Sequence, residues 1–102
     1  MFINRGLMPG SIGLKVASIV DANTFEVFPP WRWEGQSGIK VKVAGIEAPY
    51  EGEPGYARAK EKLKSVVEGR EVELKNKKEV DYDRLVCDVY VDGKNIVIEL
   101  KR

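Results

Sequence analysis

Residues 39–75 read IKVKVAGIEAPYEGEPGYARAKEKLKSVVEGREVELK, and the periodicity changes twice within them. Ile39, Val41 and Val43 alternate with Lys40 and Lys42, the two-residue repeat of a strand with one buried face. Residues 45–52 are rich in glycine and charge and read as a loop. Tyr56, Ala59, Leu63, Val66 and Val67 then recur at helical spacing among Arg58, Lys60, Glu61, Lys62 and Lys64. Pro54 is placed to open that helix, since its missing N–H costs nothing in a first turn, and Gly69 to end it. Residues 71–75 set Val72 and Leu74 against charge and return to the strand period.

Upstream, Ile12, Leu14, Val16 and Val20 mark one face of a first strand, residues 12–20. Asp21-Ala22-Asn23 is a turn, because Asp and Asn bond their own backbone. Residues 24–28 form a second strand, which Pro29-Pro30 stops for want of a donor to the ladder. Residues 31–38 are an irregular connection carrying Trp31, Arg32 and Trp33. Downstream, residues 76–83 are a charged loop, residues 84–91 a fifth strand and Asp92-Gly93 a turn. Asn95 is placed to cap a last short helix, residues 96–100.

The order β-β-β-α-β-β-α defines the fold class: α+β, mainly β, a five-stranded OB-type barrel with a helix between strands three and four and a short C-terminal helix. The expected organisation is a lead-in, residues 1–10, and a single domain, residues 11–102.

Composition narrows the function. The chain has 102 residues, enough for one core, with 43% apolar and 32% charged residues, as in ordinary globular proteins. No apolar run approaches the roughly 20 residues a membrane span needs. The lead-in lacks the apolar stretch of a signal peptide. With one cysteine, Cys87, no intramolecular disulfide can form, and the cytoplasm is the expected location. Cys87 lies in an apolar run and reads as a buried small hydrophobe. The absence of histidine removes the commonest general base and zinc ligand. A net charge of +1 means that any nucleic-acid binding depends on where charges sit, not on their sum.

Four pieces in order resemble the staphylococcal nuclease (thermonuclease) family, over most of the chain. They are Val20-Asp21-Ala22-Asn23-Thr24-Phe25, the stretch Val41 to Tyr50, the helix residues Ala57 to Val67, and Asp81-Tyr82-Asp83-Arg84 with the strand and Asp-Gly turn after it. Active members are calcium-dependent phosphodiesterases acting on DNA and RNA. The resemblance puts the family's calcium carboxylates on Asn23 and Glu47, a carbonyl ligand on Ala48, the general base on Tyr50 and the phosphate-binding arginines on Lys42 and Arg84. Only Arg84 keeps the family's side chain.

Those substitutions imply impaired chemistry. Asn23 offers a neutral oxygen to a hard cation that prefers carboxylates, and Glu47 reaches one methylene further than Asp. Tyr50 is a phenol, almost fully protonated at neutral pH and a poor base. Lys42 keeps charge but loses the planar fork that matches a phosphate. Compensation has two routes: Glu51 or Glu53 as substitute base, and Asp21 as substitute ligand. Otherwise Glu51 and Glu53 are solvated loop carboxylates and Asp21 a turn former.

The expected function is therefore weak binding of single-stranded DNA or RNA, through Lys42, Arg84, Tyr82 and Lys40, with Trp31 or Trp33 as further stacking surfaces. No cofactor is expected, and calcium only if the enzyme is active. The alternatives are a slow calcium-dependent phosphodiesterase using Asp21, Glu47 and Glu51, and a protein-interaction module presenting an apolar patch around Trp31 and Trp33. No membrane partner is expected.

Overall fold

Val41 and Val43 are fully buried while Lys40 and Lys42 point outward, and this alternation places β3 (Gln36–Val43) in the wall of a barrel. The computed structural model describes residues 13–102, so the lead-in and the predicted inward position of Ile12 lie outside the described residues. Around β3 the remaining elements are β1 (Leu14–Asp21), β2 (Thr24–Trp33), α1 (Tyr56–Val67), β4 (Glu71–Asp81), β5 (Arg84–Val91), β6 (Lys94–Asn95) and α2 (Val97–Leu100).

The strands run β3-β2-β1-β4-β5 as antiparallel neighbours, and a parallel pairing of β3 with β5 closes the ring. This is a closed five-stranded mixed barrel of the OB type, with β6 added to the far end of β5. Phe25, Val27, Val41, Val43, Val72, Leu85, Cys87 and Val89 fill its interior. Leu63 and Val67 of α1, and Ile96 just before α2, complete the core. Cys87 is a free thiol in that core, as its apolar neighbours in the sequence suggest. Among the described residues, no helix is long and apolar enough to cross a membrane.

Several local expectations are corrected. β2 continues through Pro29-Pro30 to Trp33, and residues 31–38 are not irregular: they form the outer half of the β2–β3 hairpin, turning at Glu34-Gly35. The prolines are tolerated because pairing with β1 ends at Phe28 and pairing with β3 is interrupted between Glu26 and Trp31. At that gap no ladder bond is demanded of them. Glu34 and Gly35 take φ values of 53° and 77°, the left-handed pair of a tight hairpin turn.

Residues 76–83 are not a loop. β4 runs to Asp81 across an irregularity at Asn76, which adopts φ 51°, and a two-residue turn, Tyr82-Asp83, leads into β5. Val20 does not face the core: register shifts in β1 between Val16 and Ser18 and between Ile19 and Asp21 reverse the phase and leave it 36% exposed. α1 begins at Tyr56 behind a left-handed Gly55, so Pro54 precedes it rather than opening it. At the C-terminus Asn95 ends β6 and also makes the expected cap: its Oδ1 accepts the Val97 N–H at 2.9 Å, across an Ile96 that already has helical φ and ψ.

Candidate functional site

The strand register assembles the cations. Lys40 and Lys42 are two apart on β3 and share its outer face. Parallel pairing puts Arg84, the first residue of β5, beside Lys40. The Tyr82-Asp83 turn projects next to them, and Tyr82 is 94% exposed at φ 61°. A bulky residue rarely adopts that conformation, and its phenol ring packs on nothing.

A cleft of about 770 Å3 opens alongside. Lys42, Arg84 and Asp81 form one wall, and Asp21 and Asn23 come from the β1–β2 connection. The loop after β3 contributes Ile46, Glu47, Ala48, Pro49, Tyr50, Glu51 and Glu53, while Val20 and Tyr56 supply apolar surface. Asp21, Asn23, Lys42, Glu47, Ala48, Tyr50, Glu51, Glu53 and Arg84, all singled out from the sequence, therefore share one cavity.

Backbone bonds hold the walls in place. The Val43 N–H donates to the Asn23 carbonyl at 2.9 Å and the Ala44 N–H to the Cys87 carbonyl at 2.8 Å. The 50–53 loop is clamped, since Glu53 Oε1 accepts the Tyr50 N–H at 2.6 Å and the Glu53 N–H donates to the Tyr50 carbonyl. Glu53 thus braces its own loop, and Tyr50 stands 78% exposed.

The cations are not unpaired. Asp81 Oδ2 lies 2.7 Å from Arg84 Nη2 and 3.6 Å from Lys42 Nζ, and Asp83 Oδ2 lies 3.3 Å from Lys40 Nζ. Counting the lining, five carboxylates (Asp21, Glu47, Glu51, Glu53 and Asp81) face two cations, Lys42 and Arg84. Asp81 and Asp83 were not singled out as site residues. The signal was the Asp-Tyr-Asp-Arg run itself: once a two-residue turn replaces the loop, Asp81 and Arg84 become cross-strand partners.

Calcium does not fit the donors. It takes roughly six to eight oxygen ligands, yet among the described residues no three His, Cys, Asp or Glu side chains group to hold a metal ion. Asp21 Oδ1 accepts the Asn23 N–H at 3.0 Å, and Asn23 Oδ1 accepts the hydroxyl of buried Thr24 at 3.0 Å. Each of these two oxygens thus accepts one bond at the turn.

Trp31 is not a stacking surface. It is 3% exposed, its indole N–H donates to the Lys40 carbonyl at 2.8 Å, and Trp33 is half-buried against the core. The Trp31 ring has no open face to offer a base; the exposed apolar side chains of this hairpin are Phe28 and Ile39 instead. Lys75, Lys77 and Lys78 lie on exposed β4, outside the cleft lining; Lys75 sits 4.6 Å from the Tyr90 ring centroid. No protein-family model matches the chain, and neither does any curated protein.

Proposed function

We propose that this domain binds single-stranded nucleic acid along the β3–β5 edge, as a nuclease-like barrel of the thermonuclease type with impaired chemistry. One observation carries the reading: Lys40, Lys42 and Arg84 stand together on adjoining strands beside the solvent-exposed ring of Tyr82. A cationic track follows a phosphate backbone, and an exposed aromatic takes a base face without demanding a sequence. Stacking contributes about 1–3 kcal/mol per base, which matters where each cation must first leave a carboxylate.

Catalysis has weaker support. Tyr50 and Lys42 stand where the resemblance calls for a base and an arginine. Glu53 is engaged with its own loop, and the donors near Asn23 do not suit calcium. A base lost from such a site costs about 10²–10⁴-fold in rate.

The acidic surplus of the cleft favours a second reading, a protein-interaction module that accepts a basic segment. One experiment separates the possibilities: labelled single-stranded DNA and RNA incubated with millimolar calcium, beside a chelator control and Arg84→Ala. Salt-sensitive binding without cleavage, lost in Arg84→Ala, supports the proposal. Calcium-dependent cleavage would replace it with the enzyme. If no strand is bound or cut, the protein-interaction reading takes its place.

A further inference from the structure

Resting on the nucleic-acid reading, we infer that Asp81 is a built-in competitor for the phosphate seat and sets which ligands this edge accepts. A single oxygen, Asp81 Oδ2, reaches Arg84 Nη2 at 2.7 Å and Lys42 Nζ at 3.6 Å. A phosphate oxygen bound between the same cations would need the place that this oxygen fills. Both are anionic acceptors, and a guanidinium presents the same donors to either. The Asp81 side chain is one-third exposed, so it can turn out to solvent when displaced.

The consequence is discrimination by charge density. A lone anion exchanges one acceptor for another and gains little. A strand brings successive phosphates, so one displaces Asp81 while its neighbour reaches Lys40 and a base meets Tyr82. Asp81 thereby suppresses small-anion occupancy, keeps affinity for strands low and holds the salt dependence below what the freed cations would give. The β4–β5 register enforces the contact, because Asp81 and Arg84 are paired residues flanking the two-residue turn.

The test is fluorescence anisotropy of a labelled oligothymidylate over a salt series, with the full chain as wild type, Asp81→Asn, Asp81→Ser and Arg84→Ala. Asp92→Asn makes the same charge change at an exposed turn outside the cleft. Far-UV circular dichroism and thermal melts establish that each variant folds, and the two Asp81 variants guard against a misfolded one. Partly exposed ion pairs contribute modestly, so freeing two cations is expected to tighten binding by about three- to tenfold. The slope of log K on log salt should steepen by about 0.7, one phosphate's worth for a single strand. Asp92→Asn should stay within about twofold of wild type.

If wild type binds and the folded Asp81 variants bind no tighter, or no tighter than Asp92→Asn, the inference is wrong and the binding function stands. If wild type fails to bind but an Asp81 variant binds, Asp81 closes the seat outright, and the proposed function of the natural chain falls while the inference holds. If no folded variant binds, both fall.

Discussion

Gly38 lies against the ring of Trp31 so closely that a Cβ added there would come 2.8 Å from Cζ2. The two residues are Cα partners across β2 and β3, and the ring they accommodate is nearly inaccessible to solvent. A buried indole held by a hydrogen bond to Lys40 has little freedom to retreat. Gly38→Ala is therefore expected to destabilise the protein by about 1–3 kcal/mol through overpacking. Chemical denaturation measures it, and an unchanged midpoint would show that the outer hairpin relaxes freely. Trp31→Phe should cost about 1 kcal/mol more than its lost area implies, since the Lys40 carbonyl loses its donor.

Tyr82 makes the opposite prediction. Holding a non-glycine residue in the left-handed region costs about 1–2 kcal/mol, and glycine relieves most of that while losing some chain entropy. Being almost wholly exposed, Tyr82 has no packing to lose. Tyr82→Gly should raise the melting temperature by about 2–6 °C for a domain of this size, while weakening binding to single strands. Undiminished affinity in the folded variant would separate the ring from the binding role.

Cys87 gives a prediction in pH. Burial, the largest cause, pushes its thiol up to about 12 from an ordinary 9.0; nearby Lys77 opposes the shift and Asp88 adds to it. Unfolding exposes a thiol that ionises earlier, so the unfolded chain sheds this proton first. The stability linked to it is complete below about pH 9 and is lost as pH climbs toward 12. Melting temperatures across that window should fall with pH less steeply in Cys87→Ala, compared with its own value at neutral pH. In the native state an aromatic disulfide reagent should not label the thiol, and denaturant should make it react at once.

Calcium should leave the melting temperature unchanged at millimolar concentration. Binding confined to the folded state raises it by mass action, but Asp21 Oδ1 and Asn23 Oδ1 each accept a bond at the turn, and among the described residues no three His, Cys, Asp or Glu side chains group to hold a metal ion. A clear rise, abolished by Asp21→Asn, would restore a metal site.

What the sequence revealed, and what it hid, follows from which residues act locally. The alternation of Val41 and Val43 with Lys40 and Lys42 and the helical spacing through Leu63 and Val67 are local signals, and they hold. Nine of the fourteen cleft residues could be named, from the family resemblance and the residues beside its motifs rather than from periodicity, and they lie at strand ends and on the loops the barrel brings together. The errors arise where a distant strand decides. Pro29-Pro30 stops a strand only if a neighbour demands their N–H groups, and the gap in the β2–β3 pairing removes the demand. Charge-rich residues 76–81 look like a loop until β5 pairs with them. Trp31 looks available until the outer hairpin folds it under Gly38. Asp81 escaped notice because its partners, Arg84 and Lys42, become neighbours only through the turn and the parallel closure.

That closure is unevenly secured. β3 and β5 share four paired positions, from Lys40↔Arg84 to Val43↔Cys87, whereas β1 and β4 share only Leu14↔Val72 and Lys15↔Glu71, with one further bond from the Val16 N–H to the Arg70 carbonyl. Local opening begins where the fewest bonds must break, so thermal breathing parts the cylinder along the β1–β4 seam. The Val16 amide should exchange its hydrogen with solvent well before those of Val43 and Ala44. During such an opening the domain briefly becomes a curled sheet with two free edges, while the wall that carries Lys40, Lys42 and Arg84 stays intact.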